Sequence, residues 1–126
     1  MLVCGSRGWR DARSIRNRLT TYNPATTRVI HGAAMGADML ADVEARKLGF
    51  EVERFPADWK THGKRAGILR NLAMLDEADM VLAFWGGTSP GTRHTIEEAR
   101  RRGFQKDHRL WIVTPNTVAE WAGGDE

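Results

Sequence analysis

The alternation of short β-rich runs with longer amphipathic stretches constrains the fold of this sequence more than any other feature. Apolar, strand-like runs occur at residues 2–4, 28–31, 52–55, 80–85 and 110–113. Apolar residues recur at helical spacing in residues 11–22, 37–48, 68–78 and 92–102. Because right-handed crossovers join strands in such a repeat, the sequence predicts an α/β, Rossmann-like three-layer sandwich. We expect a parallel five-stranded sheet of order 3-2-1-4-5.

Length and composition indicate one soluble domain. At 126 residues the chain has room for a single domain, residues 1–126, with one core. Its one cysteine, Cys4, lies in an apolar run, which predicts a buried, unreactive thiol in a reducing compartment. No charged leader or transmembrane-length apolar window occurs, so we expect a cytoplasmic protein with no membrane partner. The net charge of +3 fits an anionic ligand but does not by itself indicate nucleic acid.

Three glycine-rich segments follow strands that the predicted order makes neighbours. They are loop A (residues 5–9), loop B (residues 32–38) and loop C (residues 86–92). Carboxyl ends of parallel strands share one edge, so we expect these loops to frame one cleft at the point where the strand order reverses. Glycine lets a ligand approach the main chain, and free N–H groups at helix starts favour phosphate. One such loop is explained by turn geometry alone, whereas three together favour ligand binding.

The predicted ligand-binding residues come from these loops and from one helix. They are Gly5, Ser6, Arg7, Gly32, Ala33, Gly36, Asp38, Asn71, Gly86, Gly87, Gly91 and Thr92. Asp38 either bonds ribose hydroxyls or caps its helix, and the sequence leaves both open. No loop matches a P-loop or a Gly-x-Gly-x-x-Gly fingerprint, and the histidines lack metal-like spacing. We therefore predict no resident cofactor and no metal ion.

Two further features have competing interpretations. Residues 57–67 read as an irregular connection that is rich in functional residue types. In it, Trp59 either stacks on a base or anchors a solvated loop, and Lys60, Lys64 and Arg65 either face an anion or face solvent. His31 ends a strand, and we interpret it as a structural residue with satisfied hydrogen bonds rather than a base.

Several motifs in order resemble the YspA-like, cpYpsA-related branch of the SLOG superfamily. They are Gly5-Ser6-Arg7, residues 29–38, residues 55–59, residues 70–75, and Gly86-Gly87 with Gly91-Thr92. The resemblance covers about residues 1–115, and many short members occur in actinobacteria and their phages. The superfamily includes LOG-type phosphoribohydrolases, nucleotide-sensing modules and the DNA-uptake family DprA. The resemblance implies a nucleotide or nucleotide-derived small-molecule ligand.

The resemblance leaves open whether the chain is an enzyme. Residues 70–74 match the Arg-Lys-x-x-Met motif of the hydrolases, with Asn71 in place of lysine. Loop C has three residues between Gly87 and Gly91 where their Pro-Gly-Gly-x-Gly-Thr-x-x-Glu motif has one, and the nearest carboxylates are Glu97 and Glu98. If the chain cleaves nucleoside monophosphates, Glu97 is the predicted catalytic carboxylate, with Glu98 as the alternative, and Arg70 orients the phosphate. A nucleic-acid-binding module ranks last, because the basic residues form no stripe with interleaved aromatics.

The tryptophan content suggests self-association. The side chains of Trp85, Trp111 and Trp121 together present more aromatic surface than a domain with one sheet of this size easily buries. A short helical patch is predicted around residues 118–121, with Trp121 on its apolar side. Since the related hydrolases are dimers, we expect a homodimer built from helices rather than from edge strands.

Overall fold

One mixed sheet forms the centre of the molecule. The computed structural model describes residues 1–115 and 120–121, and within them the strands have the order β3-β2-β1-β4-β5-β6. Strands β1 to β5 are parallel, so the predicted sheet and its order 3-2-1-4-5 are confirmed. The strands are β1 (Leu2–Gly5), β2 (Arg28–His31), β3 (Glu51–Arg54), β4 (Val81–Phe84), β5 (Leu110–Val113) and β6 (Glu120–Trp121).

Strand β6 corrects the prediction of a helical patch at residues 118–121. Glu120 and Trp121 are extended and pair antiparallel with Ile112 and Trp111 of β5. Residues 118 and 119 lie outside the described part of the chain. The outer edge of β5 presents unpaired N–H and C=O groups, and a returning segment satisfies them better as a strand than as a helix.

Helices cover both faces of the sheet, as predicted. They are α1 (Ala12–Leu19), α2 (Ala37–Lys47), α3 (Trp59–His62), α4 (Ala66–Glu77) and α5 (Pro90–Arg101), with 3₁₀ turns at Gly63–Arg65 and Lys106–His108. Among the described residues, no helix has the length and apolar character needed to span a membrane.

The segment predicted to be irregular, residues 57–67, is largely helical. It contains α3, the 3₁₀ turn at Gly63–Arg65 and the start of α4. Asp58 caps α3, because its side chain accepts a hydrogen bond from the Thr61 N–H at 3.2 Å. Gly63, at φ +56°, ends the helix, and α4 begins at Ala66 rather than at Ile68. The sequence prediction overlooked Asp58, whose residue type is favoured at the N-cap of a helix.

Two apolar layers lie on either side of the sheet. Val3, Leu82 and Phe84 point towards α1 and α2, whereas Leu2, Cys4 and Ala83 point towards α4 and α5. Cys4 is buried, and burial raises the pKa of its thiol, as expected for an unreactive cysteine. Since α2, α4 and α5 all begin at the carboxyl edge of the sheet, their N-termini meet there.

Candidate functional site

Ser6 joins the three glycine-rich loops. Its carbonyl oxygen accepts a hydrogen bond from the Ala37 N–H at 3.2 Å, which ties loop A to the start of α2. Its hydroxyl accepts a hydrogen bond from the Gly86 N–H at 3.0 Å, which ties loop A to loop C. The structure thus brings loops A, B and C together at one edge of the sheet.

Close backbone contacts at two glycines make this junction compact. Gly36 has φ +80°, and a Cβ atom there would overlap the carbonyl oxygens of Ser6 and Arg7. A Cβ atom on Gly5 would overlap the Phe84 carbonyl oxygen and lie 2.6 Å from the Ala37 Cβ. Both positions therefore require glycine for packing between backbones.

An open cleft of about 810 Å³ lies at this edge, between the first turns of α4 and α5. Its volume is in the range of small-molecule sites. Of the predicted site residues, it is lined by Gly5, Arg7, Gly32, Ala33, Asp38, Arg70, Asn71, Gly91 and Thr92. The others, Ser6, Gly36, Gly86, Gly87 and Glu97, do not line it. Ser6, Gly36 and Gly86 instead take part in the contacts that join the loops.

The N–H groups at the start of loop B are occupied within the protein. Those of Gly32 and Ala34 donate to Asp38 Oδ2 at 2.9 and 3.3 Å. The Ala33 N–H donates to His31 Nδ1 at 3.0 Å, and Ala33 takes a positive φ of 59°. Loop B therefore shapes the cleft wall, and these three amides are not free to hold a phosphate.

Asp38 closes loop B and also faces the cleft. Its Oδ2 holds the Gly32 and Ala34 amides, so the carboxylate caps this loop. Its Oδ1 has no hydrogen bond to any described residue, although Asp38 lines the cleft. Burial raises the pKa of Asp38, and the bonds to the two amides and the nearby guanidinium of Arg70 oppose that rise.

His31 belongs to a buried ionic network beneath loop B. Since its Nδ1 accepts from an amide, its Nε2 carries the proton and donates to Asp42 Oδ2 at 2.7 Å. Asp42 also accepts from Arg46 at 2.9 Å and from Arg54 at 2.9 and 3.2 Å. The interpretation of His31 as a satisfied structural residue is confirmed.

This network predicts a specific acid dependence of stability. The bonds from Arg54, then those from Arg46 and His31, hold the pKa of Asp42 well below its ordinary value of 3.8. Because the folded-state pKa is lowered, the contribution of Asp42 is complete above pH 3.8 and is lost as the pH falls through the folded-state pKa. We expect Asp42→Asn to lower the free energy of unfolding at pH 7 and to flatten its decline below pH 4 or so.

Urea denaturation from neutral to acidic pH measures this dependence. Glu97→Gln is the control, because Glu97 is exposed on α5, away from this network, and forms no ion pair with any described residue. The assignment is wrong if Asp42→Asn shifts the unfolding free energy equally at every pH.

Arg70 braces the ends of two strands. Its guanidinium donates to the carbonyl oxygens of Gly32 and Phe55, which directly follow β2 and β3. Its Nε donates to Asn71 Oδ1 at 2.9 Å. Partial burial lowers the pKa of Arg70, and the carboxylate of Asp38 opposes that change. Arg70 thus both holds the cleft wall and places a positive charge within it.

The first turn of α5 offers polar groups to the cleft. Ser89 is the N-cap, yet no side chain caps the free N–H groups of this turn. The Thr92 hydroxyl donates to the Ser89 hydroxyl at 3.2 Å, and both residues line the cleft. His94 also lines it, and its buried Nδ1 has no partner among the described residues. Such an N-terminus favours an anion.

The predicted catalytic carboxylate lies elsewhere. Glu97 is exposed and lines a separate hollow of about 210 Å³ with Thr88 and Arg93, which adjoins the cleft at Pro90 and His94. Glu98, the alternative, pairs with Arg101 and Arg102. Among the described residues that line the cleft, the one carboxylate is Asp38.

The predicted ligand-binding set omitted several side chains that line the cleft. They include Met35, Trp59, Lys64, Ile68, Ser89 and His94. Two of them, Trp59 and Lys64, lie in the segment whose composition was noted. For Met35, Ile68 and His94, no local pattern distinguishes a cleft residue from an ordinary helix or loop residue.

Comparisons with known proteins agree with the fold and the motifs. The model of the YspA, cpYpsA-related SLOG family matches residues 1–62. The Gene 61 protein of Mycobacterium phage D29 is 44% identical over 112 residues, which covers 82% of this chain and 90% of that protein. No solved structure matches significantly. The resemblance noted from the motifs is thereby confirmed.

Proposed function

Since the chain belongs to the YspA, cpYpsA-related SLOG family, we propose that it binds a nucleotide or nucleotide-derived ligand in the cleft. The phosphate lies at the first turn of α5. The observation that carries this proposal is the uncapped N-terminus of α5, which opens with Ser89 and Thr92 onto a cleft of about 810 Å³. A phosphate accepts hydrogen bonds from free N–H groups and hydroxyls and is stabilised by the helix dipole.

The charges around the cleft support an anionic ligand. Arg7, Lys64 and Arg70 line it, against the single carboxylate of Asp38 among the described lining residues. Within the described part of the chain, Arg7 and Lys64 take part in no ion pair. Among the described residues these two cations therefore have no acidic partner, and a phosphate provides one.

Asp38 is suited to the sugar of such a ligand. Its Oδ1 is free of hydrogen bonds to described residues, while Oδ2 is fixed by the Gly32 and Ala34 amides. A carboxylate oxygen held in place in this way is an acceptor for a ribose hydroxyl. We therefore place the ribose between Asp38 and the first turn of α5.

The geometry does not support Glu97 as the carboxylate for glycoside cleavage. Cleavage by the LOG-type route needs a carboxylate beside the ribose, and Glu97 lies in the adjoining hollow instead. We propose that Glu97 takes no part in the site. Free base released from AMP by the native chain, and abolished in Glu97→Gln, would contradict this assignment.

Removal of Arg7 tests the phosphate site. Arg7→Ala is expected to weaken AMP binding about tenfold, because one charge-assisted contact to phosphate is lost. Isothermal titration calorimetry with AMP, ADP, ADP-ribose and inorganic phosphate measures the effect, which should shrink at high salt. Arg10→Ala is the matched control, since Arg10 follows in the same segment but does not line the cleft. The proposal fails if none of these ligands binds at millimolar concentration, or if both variants weaken binding equally.

A further inference from the structure

We propose that Trp59, Met35 and Ile68 form the base-binding end of the cleft, where a nucleobase stacks on the indole of Trp59. This inference rests on the proposed function, which places the phosphate and the ribose, and it adds the position of the base. It makes the site one for a ligand with a flat aromatic group at the opposite end from its phosphate, rather than for a sugar phosphate alone.

The exposure of these three side chains is the first observation. Met35 is 67% exposed, Trp59 is 60% exposed and Ile68 is 48% exposed, although all three are large and apolar. Among the described residues, the one other exposed large apolar side chain is Val43, on α2 and away from the cleft. Exposed apolar surface gathered in one place marks a binding site rather than chance.

The second observation is that the three residues come from separate segments. Met35 lies in loop B, Trp59 begins α3 and Ile68 lies in the first turn of α4, yet all line the same cleft. Folding therefore brings together apolar groups that it does not bury. The cleft therefore offers exposed apolar surface as well as polar groups.

The position of Trp59 is supported from both its own helix and the next one. The Asp58 cap begins α3 at Trp59. On α4, Gly67 has no side chain, and a Cβ atom there would lie 3.4 Å from Trp59 Cη2 and 4.0 Å from Arg70 Nη2. The indole therefore lies beside the backbone of α4 and near the guanidinium of Arg70. It is held in place while most of its surface stays open.

A nucleobase fits this wall better than a purely apolar group does. Lys64, Arg70 and Asn71 line the same cleft as Trp59, so polar groups are available to the edge of a ligand whose face lies on the indole. A base presents an apolar face to an aromatic ring and polar atoms at its edge. A phosphate at α5 also occupies little of about 810 Å³, which leaves space for a base at the far end.

Two ligands and two substitutions at Trp59 test the inference. We expect Trp59→Ala to weaken AMP binding by about 10- to 100-fold, the loss typical of one base stacked on one aromatic side chain. Its affinity for ribose 5-phosphate, which has no base, should change by less than about twofold. Trp59→Phe keeps a ring and should recover most of the AMP affinity. Val43→Ala is the control for loss of exposed apolar surface elsewhere.

The possible results separate this inference from the proposed function. If neither AMP nor ribose 5-phosphate binds the native chain, the proposed function fails. If both bind, and Trp59→Ala leaves the AMP affinity unchanged, the stacking role is overturned and the phosphate site stands. If Trp59→Ala converts a dimer to a monomer by light scattering with the AMP affinity unchanged, the patch is an interface between two copies. Thermal unfolding of each variant verifies that the fold is intact.

Discussion

Gly36→Ala is expected to lower the free energy of unfolding by about 4 kcal/mol or more, a loss that is exceptional for a single methyl group. Gly36 has φ +80° and ψ −126°, a combination that residues with a Cβ atom rarely adopt. The added Cβ would also overlap the carbonyl oxygens of Ser6 and Arg7, which are backbone atoms and cannot move alone. The junction between loop A and α2 would have to open.

Urea and thermal denaturation measure this effect, which corresponds to a fall of about 10 °C or more in the unfolding midpoint. Gly8→Ala is the matched control in loop A, because a Cβ atom there would meet nothing within 4 Å. We expect the control to change the free energy of unfolding by less than about 1 kcal/mol. Equal effects of the two substitutions would show that the contact between loops A and B is not tight.

Arg70→Ala is expected to weaken AMP binding about 100-fold. Two effects add in this substitution. The carbonyl oxygens of Gly32 and Phe55 lose their shared donor, so the wall of the cleft is free to move. The cleft also loses a positive charge that faces the carboxylate of Asp38.

Arg70→Lys separates these two effects. Lysine keeps the charge but cannot hold two carbonyl oxygens and the Asn71 side chain in one planar fork. If bracing dominates, calorimetry will show that Arg70→Lys retains little of the native affinity. Affinity restored to the native level by lysine would mean that Arg70 acts through its charge alone. The free energy of unfolding, measured in parallel, reports whether bracing also stabilises the fold.

Most of the fold could be predicted because its signals are local or general. The apolar run at residues 80–85 predicted a central strand, and β4 is fully buried at Val81–Phe84. Gly49 and Gly103, both at positive φ, follow the helices α2 and α5. Right-handed crossovers then leave few strand orders to consider. The predictions were wrong where the signal was weak, at α3 and at β6, which is only two residues long.

The candidate site could be predicted only in outline. Loops A, B and C converge as the strand order requires, and nine of the fourteen predicted site residues line the cleft. Glu97 was predicted as the catalytic carboxylate from its distance along the chain to Thr92. On α5 that distance places Glu97 in the adjoining hollow, because helical rotation decides which face a side chain occupies.

Local residue patterns were sufficient to predict the parallel sheet, its strand order and the edge at which the glycine-rich loops meet. These follow from apolar periodicity, turn residues and the handedness of crossovers, which act over short stretches of chain. Contacts between distant segments were needed to establish two further features. The amides at the start of loop B donate to Asp38 and His31, and Met35, Trp59 and Ile68 line one cleft. Hydrogen-bond partners and side-chain exposure depend on contacts between segments far apart in the chain, which no local pattern encodes.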